Sequence, residues 1–136
     1  MRYMGIDFGD ARVGIALSDP LGMLAQRYTT LTNTGGKKLF EQISAIIEEK
    51  QVGHIVIGLP KNMDATEGFR AEATYAFAER LKTYTNVPIS FWDERLTTVA
   101  AHGYLNELDV RGKKRKETVD AVSAELILEG FMQSRG

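Results

Sequence analysis

The sequence predicts an α/β fold: one five-stranded mixed sheet, formed by an antiparallel meander of strands 1–3 and then two parallel strands, with helices on both faces. Three observations lead there. Three short β-rich runs, separated by glycine and proline turns, precede any helical periodicity. Two units follow in which a helical pattern runs into an apolar stretch. The first run also contains an acid, Asp7, where an apolar residue is expected.

Residues 2–8 and 13–18 are apolar and partly β-branched, and Gly9-Asp10-Ala11-Arg12 between them reads as a hairpin turn. Asp19-Pro20-Leu21-Gly22 makes the next turn, and the Thr-rich residues 24–31 supply the third strand. After Gly35-Gly36, the spacing of Leu39, Phe40, Ile43, Ile46 and Ile47 predicts a helix over 37–50, closed by Val52-Gly53. Residues 54–59 form a continuous apolar run, as in a strand buried on both faces. Phe69, Ala73, Ala76, Phe77, Leu81 and Tyr84 mark a second amphipathic helix, with both Phe69 and Phe77 on its core face. Residues 87–92 give the fifth strand. Helical spacing resumes at Val99, Tyr104 and Leu108, and beyond a basic, glycine-containing loop the last helix covers about 116–133.

Composition narrows the chemistry. With 43% apolar and 26% charged residues, the 136-residue chain resembles an ordinary globular domain rather than a disordered or membrane protein, and a single domain over 1–136 is expected. The absence of cysteine excludes disulfides, thiolate catalysis and Cys-ligated zinc. No leader-like succession or membrane-length apolar stretch stands out, so no membrane partner is expected and a cytoplasmic location is the default. A net charge of −1 does not advertise a nucleic-acid binder, but Arg111, Lys113, Lys114, Arg115 and Lys116 crowd together.

Three acids stand in unusual places. Asp7 interrupts an apolar strand, where an unpaired carboxylate is costly to bury; a metal ion, Arg12 or backbone donors of the glycine turn are the possible compensations. Glycines 5, 9 and 14 are expected to leave space around it. Asp93 and Glu94 follow Phe91-Trp92 at the carboxyl end of strand 5, where ligands gather in open sheets, and spacing alone does not choose between them. Asp120 shares a helical stripe with Ala124, Ile127 and Phe131 that should face the core. If strand 1, the end of strand 5 and the last helix converge, the carboxylates need a cation between them. Oxygen donors favour Mg²⁺ or Mn²⁺; with His54 and His102 the sole histidines, zinc is a poorer fit, and both read as structural.

Four segments carry a resemblance. Gly5-Ile6-Asp7-Phe8-Gly9-Asp10-Ala11-Arg12-Val13-Gly14, Val56-Ile57-Gly58-Leu59-Pro60-Lys61-Asn62-Met63-Asp64, Asp93-Glu94-Arg95-Leu96-Thr97-Thr98 and Lys116-Glu117-Thr118-Val119-Asp120-Ala121 are similar to the successive signatures of the YqgF/RuvX family. RuvC-type resolvases and RNase H are more distant relatives in fold. The resemblance implies an RNase H-like nuclease domain with Asp7, Glu94 and Asp120 as catalytic acids and metal ligands, and Asp93 as support behind them. It also implies maturation of the 5′ end of pre-16S rRNA, with pre-ribosomal particles as partners, or a Holliday-junction resolvase activity on branched DNA.

The expected reaction is metal-dependent hydrolysis of a phosphodiester in RNA or DNA. Arg12, Lys61 and Arg95 are candidate phosphate contacts at the rim, and residues 111–116 a flexible phosphate-contacting arm. A monomer or weak homodimer is expected. The alternative of another class is a non-catalytic nucleic-acid-binding assembly factor, separated from the enzyme by whether metal-dependent cleavage occurs.

Overall fold

A computed structural model describes residues 1–60, 68–93 and 112–135, with 112–119 described by backbone alone. Its strands are β1 (Arg2–Phe8), β2 (Arg12–Ser18), β3 (Ala25–Thr32), β4 (Val52–Leu59) and β5 (Ile89–Asp93); its helices are α1 (Lys37–Glu49), α2 (Phe69–Leu81) and α3 (Gly112–Arg135). The sheet order is β3-β2-β1-β4-β5. β1, β2 and β3 are antiparallel neighbours, whereas β4 lies parallel to both β1 and β5. The predicted mixed sheet is therefore the one observed, and β1 lies at its centre.

Alternation along the strands makes two cores. Met4, Ile6, Val13, Ile15, Leu17, Ile55 and Ile57 point to one face, where α1 covers them with Leu39, Phe40, Ile43 and Ile47 and α2 with Phe77, Ala78 and Leu81. Ala16 and Val56 point the other way and pack under Ala124, Ile127, Leu128 and Phe131 of α3. Small residues let α3 lie almost on the sheet. A Cβ on Gly5 would stand 2.6 Å from the Ala124 carbonyl oxygen, and one on Gly14 would run into the carbonyl of Asp120. Of the glycines expected to open space around Asp7, Gly5 and Gly14 instead admit the helix backbone, while Gly9 faces the Arg12 carbonyl of its own turn.

Several boundaries differ from expectation for local reasons. The chain turns from α1 into β4 through Gln51, at φ 53, without a glycine, and Val52 is already paired with Arg2. α2 ends at Leu81 because Thr83 and Tyr84 donate to Arg80 and Leu81 in three-residue turns. Tyr84 still stacks on Phe40 at 5.3 Å. Phe77 is buried as expected, but Phe69 is 80% exposed: the buried stripe runs through Ala71, Thr74, Ala78 and Leu81, and Phe69 lies about 200° around the helix from Ala71. α3 begins at Gly112, so residues 112–115, expected to precede the helix as a loop, are helical. The helical spacing at Val99 to Leu108 lies outside the described residues.

Candidate active site

β1, β4 and β5 end on the same edge of the sheet, and β2 begins there. The chain leaves β1 toward β2 and β3 on one side and returns to β4 on the other, so this edge beside β1 is where the strand order reverses and a crevice forms. Asp7 sits at that point. It is half-buried rather than enclosed, which lowers the cost of its charge below that of a core carboxylate.

Register fixes where Asp7 points. Its partner across the antiparallel pair is Gly14. Paired residues project to the same face, and the α-hydrogen of Gly14 that a Cβ would replace faces the Asp120 carbonyl. Asp7 therefore projects to the α3 face, beside the turn that carries Asp120. Arg12, two residues before Gly14, shares that face. Its Nε donates to Asp120 Oδ2 at 2.7 Å, and the side chains are 32% and 20% exposed. Asp7 thus shares one corner of the sheet with the Arg12–Asp120 pair.

The turn that follows Asp7 is held from outside. Gly9 N donates to the Arg12 carbonyl at 2.9 Å, Asn33 Nδ2 to the Gly9 carbonyl at 2.7 Å, and Asn33 N to the Ala11 carbonyl at 2.9 Å. Asn33 Oδ1 accepts from Gly35 N at 2.9 Å. Asn33 is a supporting residue that sequence reasoning passed over; an Asn ahead of Gly35-Gly36 was the available signal, since Asn side chains organise turns in this way.

Strand parity also separates Asp93 from this corner. Trp92 packs against Gly130 of α3, whereas Phe91 meets Tyr75 of α2 edge-on at 5.1 Å. Asp93, on the Phe91 side of β5, belongs to the α2 face and is not positioned as the third acid beside Asp7 and Asp120. Glu94, Lys61, Arg95 and Arg111 lie outside the described residues, as does His102. The backbone places Lys113, Lys114, Arg115 and Lys116 in the first turns of α3, with no acid in the first turn. That concentrates positive charge at the positive end of the helix dipole, a placement that an anion nearby would relieve.

The donor set suits a hard cation. Asp7 and Asp120 offer carboxylate oxygens, the ligands preferred by Mg²⁺ and Mn²⁺, and Arg12 shows that the corner already draws a positive group. Among the described residues no group of three His, Cys, Asp or Glu is placed to share an ion. His54 stands at the far end of the sheet. Its Nε2 is 2.8 Å from Ser90 Oγ, and its ring lies between Tyr3 and Phe131 at 5.6 and 5.5 Å. Burial, and secondarily the charge of Arg135, hold its pKa below the ordinary value of 6.5. A cleft of about 290 Å³ lined by Phe8, Leu39, Phe40, Phe77 and Arg80 lies on the opposite face of the sheet from the carboxylates.

A central strand ending in an acid, a meander before it and parallel strands after it, with a helix carrying the second acid, define an RNase H-like fold of the resolvase type. The same fold is seen in Thermus thermophilus RuvC in complex with Holliday junction substrate (TM-score 0.54, 10% identity, 99% of this chain and 96% of that one). Fowlpox virus resolvase with substrate Holliday junction DNA gives TM-score 0.56 at 11% identity, over 99% of each chain. The chain belongs to the RuvX family, described as Holliday junction resolvase, whose profile matches residues 1–134. A relative from Clostridioides difficile (strain 630), named "Putative pre-16S rRNA nuclease", is 47% identical over 131 residues, covering 96% of this chain and 93% of the relative.

Among the described residues, no helix is long and apolar enough to cross a membrane.

Proposed function

We propose that this chain is a divalent-metal-dependent nuclease that processes the 5′ end of precursor 16S rRNA. The observation that carries the catalytic part is that Asp7 and Asp120 lie on the same face of the sheet, beside Gly14, at its switch point. The name borne by relatives near 47% identity supports the RNA substrate. The resolvase fold and the family description support branched DNA as a second substrate class.

Asp7, Asp120 and Glu94 would hold Mg²⁺ or Mn²⁺, which when bound supplies charge neutralisation and a more acidic water for phosphodiester hydrolysis. The chain's own part is placement. Asp7 is fixed by a strand paired on both sides, and Asp120 by a helix packed directly on that strand's neighbour. Such pre-positioning spares the active acids from reorganising when substrate arrives. Arg12, Lys61 and Arg95, with the basic start of α3 and Arg111, would hold the phosphate backbone across the corner. Pre-ribosomal particles are the partner this reading implies.

The test presents a precursor rRNA 5′ leader, a four-way DNA junction and single strands to wild type and Asp7→Asn with Mn²⁺. Cleavage of the rRNA leader, abolished by the substitution, is expected. Metal-dependent cleavage of the junction alone would transfer the reading to resolution of DNA. Binding without cleavage of any substrate would leave a non-catalytic module.

A further inference from the structure

Arg12 has a place that neither a simple phosphate contact nor a simple structural ion pair explains. It projects into the corner shared by Asp7 and Asp120, and its guanidinium is bonded to one of the two acids the metal reading requires. The bond joins Nε to Oδ2; a guanidinium carries four further N–H donors and a carboxylate a second oxygen. With side chains 32% and 20% exposed, the pair is reachable by ions and water. The pair is part-buried but not sealed, and a divalent ion, with twice the charge of the guanidinium and a preference for carboxylate oxygen, can take Asp120 directly and displace the arginine. Once displaced, the guanidinium remains tethered to β2 at the crevice edge, with the geometry that suits phosphate.

We propose that Arg12 is an exchangeable counter-charge: it neutralises Asp120 in the metal-free protein and passes to a backbone phosphate of the nucleic acid when a divalent cation takes the carboxylates. The inference rests on the reading of Asp7 and Asp120 as metal ligands. It makes metal and nucleic acid bind cooperatively, each raising the affinity for the other by the same factor. Arg12 is thereby a positioning residue for Asp120 in one state and a substrate contact in the other.

The test follows the arginine and not only turnover. The Arg12 Nε–H resonance of ¹⁵N-labelled wild type is recorded during titration with Mg²⁺ alone, and Mg²⁺ affinity is measured by calorimetry for wild type, Arg12→Gln and Arg12→Lys. Binding of a phosphorothioate oligonucleotide is then compared with and without Mg²⁺. The Nε–H signal should shift as Mg²⁺ saturates. Arg12→Gln should bind Mg²⁺ more tightly than wild type because the competing charge is gone, and Arg12→Lys should restore affinity toward wild type. Mg²⁺ should tighten oligonucleotide binding about fivefold or more in wild type and less in Arg12→Gln. An Nε–H signal unmoved at saturating Mg²⁺, or weaker Mg²⁺ binding by Arg12→Gln, would overturn the exchange while leaving the metal site standing. Wild type that binds no Mg²⁺ would overturn both.

Discussion

Replacing Gly14 with alanine tests whether the packing of α3 on β2 sets the site. The added Cβ would meet the Asp120 carbonyl well inside the 3.4 Å at which ordinary contacts begin, so strand and helix must part by about 1 Å. Backbone stands on both sides of the clash, and no flexible side chain can turn away. Overpacking of this kind costs about 1–3 kcal/mol. For a chain of this size that is a fall in Tm of roughly 4–12 °C. The same displacement moves Asp120 relative to Asp7, and an error of about 1 Å in a catalytic group lowers turnover by about 100-fold. Gly36→Ala is the control: nothing lies within 4 Å of its Cβ position and its φ of −127 suits any residue, so the only loss is that of a favoured helix-cap residue, about 0.5–1 kcal/mol, with turnover unchanged. Thermal denaturation and metal-dependent cleavage of the same preparations give both readings. A Gly14→Ala protein as stable and as active as the Gly36→Ala control would refute the argument.

Two further predictions concern the far end of the sheet and the start of α3. Folding favours the neutral form of His54, so as pH falls the unfolded chain takes up the proton first; stability is complete above the ordinary value of 6.5 and declines below it toward the lower folded value. Denaturation at about pH 7.5 and about pH 5.5 should show a loss on acidification that is smaller in His54→Gln, and an equal loss in both proteins would remove His54 as its source. Neutralising Lys113, Lys114, Arg115 and Lys116 together should flatten the salt dependence of nucleic-acid binding, lowering the slope of log K against log salt by about 1–3 for a single strand. An unchanged slope would mean that this run contacts no phosphates.

Much of the fold was legible because the sheet is patterned simply. β1 and β4, central and covered on both faces, read as near-continuous apolar runs, and the meander is punctuated by Gly9, Pro20 and Gly22. The start of α3 was not legible: Gly112 and a run of like charges oppose helix initiation locally, but a helix already packed from Asp120 onward extends at one hydrogen bond per residue. Phe69 misled through its size, since the stripe that faces the core is set by the smaller Ala71 and Thr74. At the site, Asp7 and Asp120 stood out as acids in apolar patterns. Their pairing with Arg12 did not, because Arg12 and Asp120 lie 108 residues apart and no local pattern joins them. The face on which Asp93 falls was not legible either, because it depends on Trp92 and Phe91 finding different helices; Glu94 lies outside the described residues.

The central claim is that Asp7 and Asp120 together hold a divalent ion. Binding of Mn²⁺, measured by electron paramagnetic resonance on wild type, Asp7→Asn, Asp120→Asn and Asp93→Asn, tests it most directly. The account predicts that Asp7→Asn and Asp120→Asn each lose most of the bound Mn²⁺, while Asp93→Asn, substituted on the opposite face of the sheet, binds like wild type. Undiminished binding by Asp7→Asn, or loss confined to Asp93→Asn, would contradict it.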